Sequence, residues 1–328
     1  MKLASRAADG PDGRLLIVSR DLSHAVEATA AGTLLQALEA WAEVEPQLSA
    51  QYDDMNAGTE PQAFALEPEA LAAALPRSYQ FLDASAFLAH NHILADAWGY
   101  TRRTEADPPL IYQGLSDRFY PAHGEVPFRS EGDDIDFEAE FGVILDATPL
   151  GVSPAEALQH VRLIVMVNDW SLRAFGPTEM KGGFGFVQAK PPCSLSAFAV
   201  TPDELGDAWR DGRVGLNLTV HRGEMLFGAL DGAAMSYGFG DLISHAAATR
   251  DLCAGTVIGS GTVSNFDAEK VGSGCIAERK ALDELAPNNA AASYLRFGET
   301  VRMEAFNAAC QSVFGAIDQR VVRRPTRP

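Results

Sequence analysis

The feature that most constrains the fold is a pair of acids two positions apart within an apolar stretch. Residues 135–145 are rich in aromatic and β-branched side chains and lack helix signals, which predicts a β-strand. Side chains alternate between the two faces of a strand, so Glu138 and Glu140 point the same way. The opposite face is apolar and consists of Phe137, Ala139 and Phe141. Two carboxylates on one face repel each other unless a cation lies between them.

A third acid ends the next apolar run. Residues 162–169 predict a strand that finishes at Asp169. If this end lies beside Glu138 and Glu140, three carboxylates converge. Hard oxygen ligands without cysteine favour Mg²⁺, Ca²⁺ or Mn²⁺ over zinc. The alternative is an edge strand with solvated acids, because the pattern E-x-E by itself is a weak signal.

Composition restricts the partners and the compartment. The chain has 328 residues, 47% of them hydrophobic, enough for a large core and two domains. A formal net charge of -18 argues against nucleic acid and anionic membranes as partners, although local cations or a metal could still attract an anionic substrate. With no signal-peptide pattern and no membrane-length apolar run, we expect a cytoplasmic protein. Its scattered cysteines fit reduced thiols: Cys193, Cys253, Cys275 and Cys310.

Residue periodicity predicts a small N-terminal domain over residues 1–78 and a larger domain over 79–328. In the first, helical spacing of apolar residues predicts a helix across 33–52, interrupted at Pro46. In the second, a capping box at Ser153 starts a short helix, and another begins near 239. Short strands are predicted at 214–220, 255–265, 272–278 and 299–306. Many short strands with few crossover helices predict an α+β, mainly β fold rather than a doubly wound sheet.

Two further groups of residues are candidates for chemistry. Asp83 and His90 lie seven residues apart, and on a helix they would share one face and line one site. A lone histidine is more often a packing or capping residue than a base, and His92 competes for the role. Lys190 ends a glycine-rich stretch; it is either a solvated surface amine or a cation directed at an anionic intermediate.

Taken together, these motifs resemble the fumarylacetoacetate hydrolase family. The resemblance rests on D-x6-H at 83–90, F-E-A-E-F at 137–141, V-N-D-W-S-L-R at 167–173, a lysine before a Pro/Ser stretch, and G-S-G-T-V-S-N at 259–265. Each motif alone is a weak indicator, but the five motifs in this order are specific to the family. The resemblance implies a β-roll-like catalytic domain after a small lead domain, a homodimer, and an octahedral Mg²⁺ or Ca²⁺.

The resemblance also assigns roles to individual residues. It implies metal ligation by Asp83, Glu138, Glu140 and Asp169, water activation by His90 oriented by Glu278, cationic support from Arg173 and Lys190, and substrate contacts from Tyr112, Thr262 and Ser85. Some positions depart from the family pattern. Ser85 stands where the family places a tyrosine, Gly176 where it places a glutamine, and Lys190 needs a one-residue gap, so Lys181 is an alternative.

The activity implied is hydrolysis of a C–C bond in a small anionic β-diketo acid, with fumarylacetoacetate, an intermediate of tyrosine breakdown, as first choice. The D-x6-H spacing of Asp83 and His90 favours an enzyme of the fumarylacetoacetase type over an acylpyruvase, because in the acylpyruvases the His–Glu pair comes from a separate lid. Acylpyruvate hydrolysis, keto-acid decarboxylation and hydration on the same scaffold stay open. So does a non-catalytic relative that only binds small acids.

Overall fold

A computed structural model describes residues 1–7, 10–286 and 292–325. The N-terminal part contains four strands and two helices: β1 (Lys2–Arg6), β2 (Arg14–Val18), β3 (His24–Glu27), α1 (Leu34–Glu39), α2 (Trp41–Ala57) and β4 (Phe64–Ala65). The predicted interruption at Pro46 is wrong, because α2 continues through it and the helical break lies at Ala40. Pro46 cannot donate one backbone hydrogen bond, but the buried side chains of Val44 and Leu48 stabilise the helical turns on either side of it.

The remaining elements alternate short strands with few helices. In chain order they are β5 (Phe81–Ala84), α3 (Leu88–Trp98), β6 (Ile111–Gly114), β7 (His123–Phe128), β8 (Ile135–Asp136), β9 (Ala139–Leu145), α4 (Pro154–Ala157), β10 (Val161–Asn168), β11 (Ser171–Leu172), α5 (Gly176–Gly182), β12 (Ser194–Leu195), β13 (Phe198–Val200), β14 (Trp209–Arg210), β15 (Arg213–Val214), β16 (Asn217–Arg222), β17 (Met225–Asp231), α6 (Phe239–Ala246), β18 (Val257–Gly259), α7 (Ala268–Val271), α8 (Ile276–Leu285), β19 (Thr300–Phe306) and β20 (Ile317–Arg323). None of the described helices is long and apolar enough to cross a membrane.

Most of the strands belong to two sheets. The larger has the order β4-β3-β2-β1-β13-β10-β9-β18-β5-β6, with β12 also paired to β10. Antiparallel pairing of β1 with β13 therefore makes the N-terminal strands continuous with the sheet of the larger part. The second sheet has the order β17-β16-β19-β20-β7. These mixed sheets with short helices confirm the predicted α+β, mainly β fold.

Strand β9 is buried on both faces, including Glu140 near its start. Phe141 lies in the main core together with Phe137, which precedes β9, while Ile144 packs into the second core under the N-terminal strands. The predicted continuous strand over 135–145 is wrong, because it divides at Phe137 and Glu138 into β8 and β9. The neighbouring β10 ends there, so the Glu138 N–H bonds to the side-chain oxygen of Asn168 at 3.2 Å instead of a backbone carbonyl.

Two other local predictions are also wrong. Asp83 and His90 do not share a helix: Asp83 lies in β5 and His90 in α3, joined by a turn that hydrogen-bonds through Ala86 N–H to the Ser260 carbonyl at 2.9 Å. Residues 272–278 do not form a strand, since Glu278 lies in the first turn of α8. Helix-forming residues continue from Ile276 to Leu285 and determine this conformation. The strand prediction considered only residues up to 278 and so did not include most of the helix.

Candidate functional site

Four carboxylates from separate parts of the chain meet where β10, β9, β18 and β5 lie side by side in the larger sheet. One oxygen from each lies within 4.8 Å of the others, and all four residues are buried: Asp83, Glu138, Glu140 and Asp169. The antiparallel pairing of β9 with β10 places Glu140 opposite Val167, next to the end of the strand that Asp169 follows. Asp83 arrives from β5, on the other side of β18.

A glycine in the intervening strand leaves room for the cluster. Gly259 pairs with Asp83 on one side and with Gly142 on the other. A Cβ atom at position 259 would lie 2.3 Å from Asp83 Oδ1 and 3.1 Å from Glu140 Oε2. Any side chain there would therefore push the two carboxylates out of position.

The electrostatics of the cluster are unbalanced. Burial raises the pKa of both Asp83 and Glu140, and repulsion from the neighbouring carboxylates raises it further. Among the described residues, neither oxygen of Glu140 meets a hydrogen-bond donor, although both are shielded from solvent. Burying a carboxylate without a hydrogen-bond donor costs free energy. A cation beside Glu140 would remove this cost.

Two cations compensate one side of the cluster only. Arg173 donates from Nε to Asp136 Oδ2 at 2.9 Å and from its terminal nitrogen to Glu138. Lys190 donates from Nζ to Glu138 Oε2 at 2.7 Å and also to Asp169 Oδ2. Burial alone would raise the pKa of Glu138, but these two cations hold it below its usual value. Lys181, the alternative lysine, is exposed and outside the cavity lining.

The ligand atoms that the cluster offers fit a divalent cation. It consists of four hard carboxylate oxygen ligands, which suit Mg²⁺, Ca²⁺ or Mn²⁺. The observation that points to an ion is Glu140, whose two buried oxygens meet no donor in the described part of the chain and lie beside the acceptor Asp83. Lys190 and Arg173 neutralise Glu138 and Asp169 but do not bond to this second pair. A bound cation would satisfy all four carboxylates together.

A histidine–carboxylate pair borders the same cavity. His90 Nδ1 lies 2.7 Å from Glu278 Oε2, and the Glu278 side chain is fully buried while that of His90 is 13% exposed. With Glu278 ionised, the proton belongs on Nδ1 and leaves Nε2 as an acceptor. His92, the competing histidine, directs its ring to the Arg103 carbonyl at 2.8 Å and does not line the cavity.

Asp136 is a site residue that the sequence analysis overlooked. It is fully buried and accepts the N–H groups of Ile276 and Ala277 at 2.8 and 2.9 Å, as well as Arg173 Nε. It therefore fixes both a cation of the cluster and the first turn of α8, which holds Glu278. The alternation that predicted Glu138 and Glu140 extends back by one step to Asp136, and could have identified it.

The predicted substrate contacts lie around one cavity of about 460 Å³. It is lined by Ser85, Tyr112, Gly176 and Thr262 together with His90, Arg173, Lys190, Asp83 and Glu138. The Tyr112 hydroxyl donates to Asp169 Oδ2 at 2.7 Å, so this residue also supports the carboxylate cluster. Cys193, which the sequence did not single out, donates its thiol to Asp169 Oδ1 at 2.8 Å.

Replacing Tyr112 with phenylalanine is expected to weaken Mn²⁺ binding about 10- to 100-fold, because an orienting hydrogen bond to a ligand is lost. Isothermal titration of metal-stripped protein measures the change. Tyr79→Phe is the matched control, since its hydroxyl bonds to Glu39 on an exposed surface. Equal affinities for the two variants would show that Tyr112 does not support the metal ligands.

Comparisons with known proteins cover almost the whole chain. Residues 1–77 match the fumarylacetoacetase N-terminal domain 2, and residues 81–322 match the fumarylacetoacetate (FAA) hydrolase C-terminal family model. Comparison with curated protein sequences gives no significant match.

Two solved structures share the fold at low sequence identity. The 5-carboxymethyl-2-hydroxymuconate delta-isomerase from Mycobacterium smegmatis is 16% identical, with a TM-score of 0.63 over 99% of this chain and 100% of the other. The maleylpyruvate hydrolase from Sphingobium sp. SYK-6, in complex with manganese (II) ion and pyruvate, is 15% identical, with a TM-score of 0.66 over the same fractions. With both family models in consecutive order, the chain belongs to the fumarylacetoacetate hydrolase family.

Proposed function

We propose that this protein is a divalent-metal-dependent enzyme that hydrolyses a C–C bond in a β-diketo acid. The observation that supports this most directly is the buried four-carboxylate cluster, with Glu140 lacking a donor, beside the His90–Glu278 pair. Family membership and the manganese and pyruvate of the maleylpyruvate hydrolase structure agree with it.

The cluster would hold the cation through Asp83, Glu138, Glu140 and Asp169. When bound, Mg²⁺, Ca²⁺ or Mn²⁺ supplies Lewis-acid polarisation of the substrate's carbonyl oxygens. Lys190 and Arg173 give the surrounding cavity positive charge toward an anionic substrate. Although burial alone would lower the pKa of Lys190, Asp169 and Glu138 raise it, so its ammonium group stays charged.

The His90–Glu278 pair supplies the base. His90 Nε2 accepts a proton from water, whose oxygen then forms a bond to a substrate carbonyl carbon. Glu278 holds the Nδ1 proton in place and stabilises the imidazolium that results. The C–C bond breaks with its electron pair leaving as an enolate, which Lys190 and Arg173 stabilise until it takes a proton.

The pair favours hydrolysis over decarboxylation, because decarboxylation does not require a base that activates water; hydration, which also adds water, is a second candidate reaction. The sequence resemblance makes fumarylacetoacetate a candidate substrate, and because this compound has a carboxylate at each end, its turnover tests whether the cavity accepts a second carboxylate. Acylpyruvates are the second substrate class.

Removal of the metal is expected to abolish turnover. The protein is stripped with EDTA and assayed with fumarylacetoacetate, acetylpyruvate and oxaloacetate, before and after adding Mn²⁺, Mg²⁺ or Ca²⁺. We expect hydrolysis of at least one diketo acid to disappear with EDTA and to return with metal. Metal-independent turnover, or binding of these acids without turnover, would contradict the proposal; the second result would indicate a small-acid-binding protein.

A further inference from the structure

We infer that the acyl group of the substrate is uncharged and apolar, so that the carboxylate lies only at the end of the molecule near the cations. This inference rests on the proposed function and specifies its substrate class. It follows from the outer part of the cavity, which we define as the outer wall: Leu94, Trp98, Tyr100, Leu110, Met180 and Phe186.

Helix α3 extends this wall outward from the base. His90, Leu94 and Trp98 recur every four residues, so they lie along one face of the helix. At a rise of 1.5 Å per residue, Leu94 and Trp98 lie about 6 and 12 Å beyond His90 along the helix axis. A substrate positioned at His90 would therefore extend its acyl group over these two side chains.

On the side of the wall opposite α3, the Glu179 carboxylate fixes the chain segment that carries Phe186. Glu179 in α5 accepts the backbone N–H groups of Val187, Gln188 and Ala189 at 2.9–3.2 Å. These contacts fix the segment that supplies Phe186 and Lys190. The Phe186 ring packs edge-on against Tyr112 at 5.2 Å between centroids, which links the apolar wall to the carboxylate cluster.

Two polar side chains along the wall make hydrogen bonds to protein groups. The Trp98 indole N–H donates to Glu284 at 2.8 Å, which leaves the carbon face of the ring for a ligand. Asn91 also lines the cavity, but its side chain bonds to the Thr101 carbonyl and to the Arg103 N–H. These bonds engage the Trp98 N–H, the Asn91 amide oxygen and one of the two Asn91 amide hydrogens.

Charge on this side of the cavity is unfavourable to an anion. Among the described lining residues, the cations are Arg173 and Lys190, both bonded to the carboxylate cluster. The Glu284 carboxylate accepts the Trp98 indole N–H at 2.8 Å and places a negative charge beside the wall. A terminal carboxylate would therefore face apolar side chains and a like charge.

Matched substrates test the inference. Fumarylpyruvate and crotonylpyruvate differ only in a terminal carboxylate that replaces a methyl group, and benzoylpyruvate adds a larger apolar acyl group. With Mn²⁺ present, we expect kcat/KM for crotonylpyruvate to exceed that for fumarylpyruvate by about tenfold or more, with benzoylpyruvate at least equal to crotonylpyruvate. A preference for fumarylpyruvate, or equal values, would overturn the inference while leaving the proposed hydrolase intact. No metal-dependent turnover of these three compounds or of fumarylacetoacetate would instead contradict the proposed function.

A charge placed on the wall provides a second test. Met180 is 54% exposed and lines the cavity, so Met180→Arg introduces a cation without disturbing the core. We expect it to raise the fumarylpyruvate-to-crotonylpyruvate ratio of kcat/KM about two- to fivefold. Phe184→Arg is the charge-matched control, because Phe184 is fully exposed in the following segment and lies outside the cavity lining. An unchanged ratio in Met180→Arg, or the same increase in both variants, would contradict the placement of the acyl group.

Discussion

Replacement of His90 with alanine is expected to lower kcat about 10²–10⁴-fold while leaving metal binding intact. The imidazole lines the cavity, and because its Nδ1 faces Glu278, its Nε2 serves as the acceptor for a water proton. It is separate from the four carboxylates, so its removal leaves the metal ligands in place. Steady-state kinetics with saturating Mn²⁺ and titration of the stripped variant with the metal measure the two effects.

His92→Ala is the matched control for this prediction. It removes a histidine from the same helix, but one whose ring bonds to the Arg103 carbonyl and lies outside the cavity lining. Its kcat is expected to stay near that of the wild-type protein. Undiminished turnover in His90→Ala, or an equal loss in both variants, would show that His90 is not the base.

Short-range pattern was sufficient to predict part of the candidate site. Alternation within a strand placed Glu138 and Glu140 together, and the adjacent strand ending at Asp169 is its antiparallel neighbour. Strands consecutive in sequence commonly pair, so this part of the geometry follows from local rules. The break between β8 and β9 did not disturb it, because Asn168 replaces the missing backbone partner of Glu138.

The rest of the site depends on pairings between distant parts of the chain. Asp83 reaches the cluster because β5 pairs in parallel with β18, about 175 residues later, a register that no local pattern reveals. The helical-spacing argument for Asp83 and His90 was wrong, although both line one cavity. Glu278 reaches His90 from α8, whose first turn is fixed by buried Asp136. Both contacts are tertiary: the family resemblance associated His90 with Glu278, and no sequence pattern associated Asp136 with α8.

The unbalanced charge of the cluster leads to a second prediction, in which loss of function accompanies a gain in stability. Glu140→Gln keeps the size of the side chain but removes a charge and supplies an amide donor facing Asp83. In the metal-free protein, at a pH where Glu140 is ionised, this replaces a buried carboxylate that meets no donor among the described residues, so the free energy of unfolding is expected to rise by about 1–3 kcal/mol. The same change removes a ligand oxygen charge, so metal-dependent turnover is expected to fall to background.

Thermal or denaturant unfolding with and without Mn²⁺ tests both consequences. At a concentration about one hundred times its dissociation constant, the metal should stabilise the wild-type protein by about 2.7 kcal/mol and Glu140→Gln far less. Glu125→Gln is the matched control, because this acid lies exposed on β7 and its replacement should change stability by less than about 0.5 kcal/mol. If metal-free Glu140→Gln is less stable than the wild type, the buried carboxylates do not repel one another as the geometry implies. If it is stabilised by Mn²⁺ as strongly as the wild type, Glu140 is not a ligand.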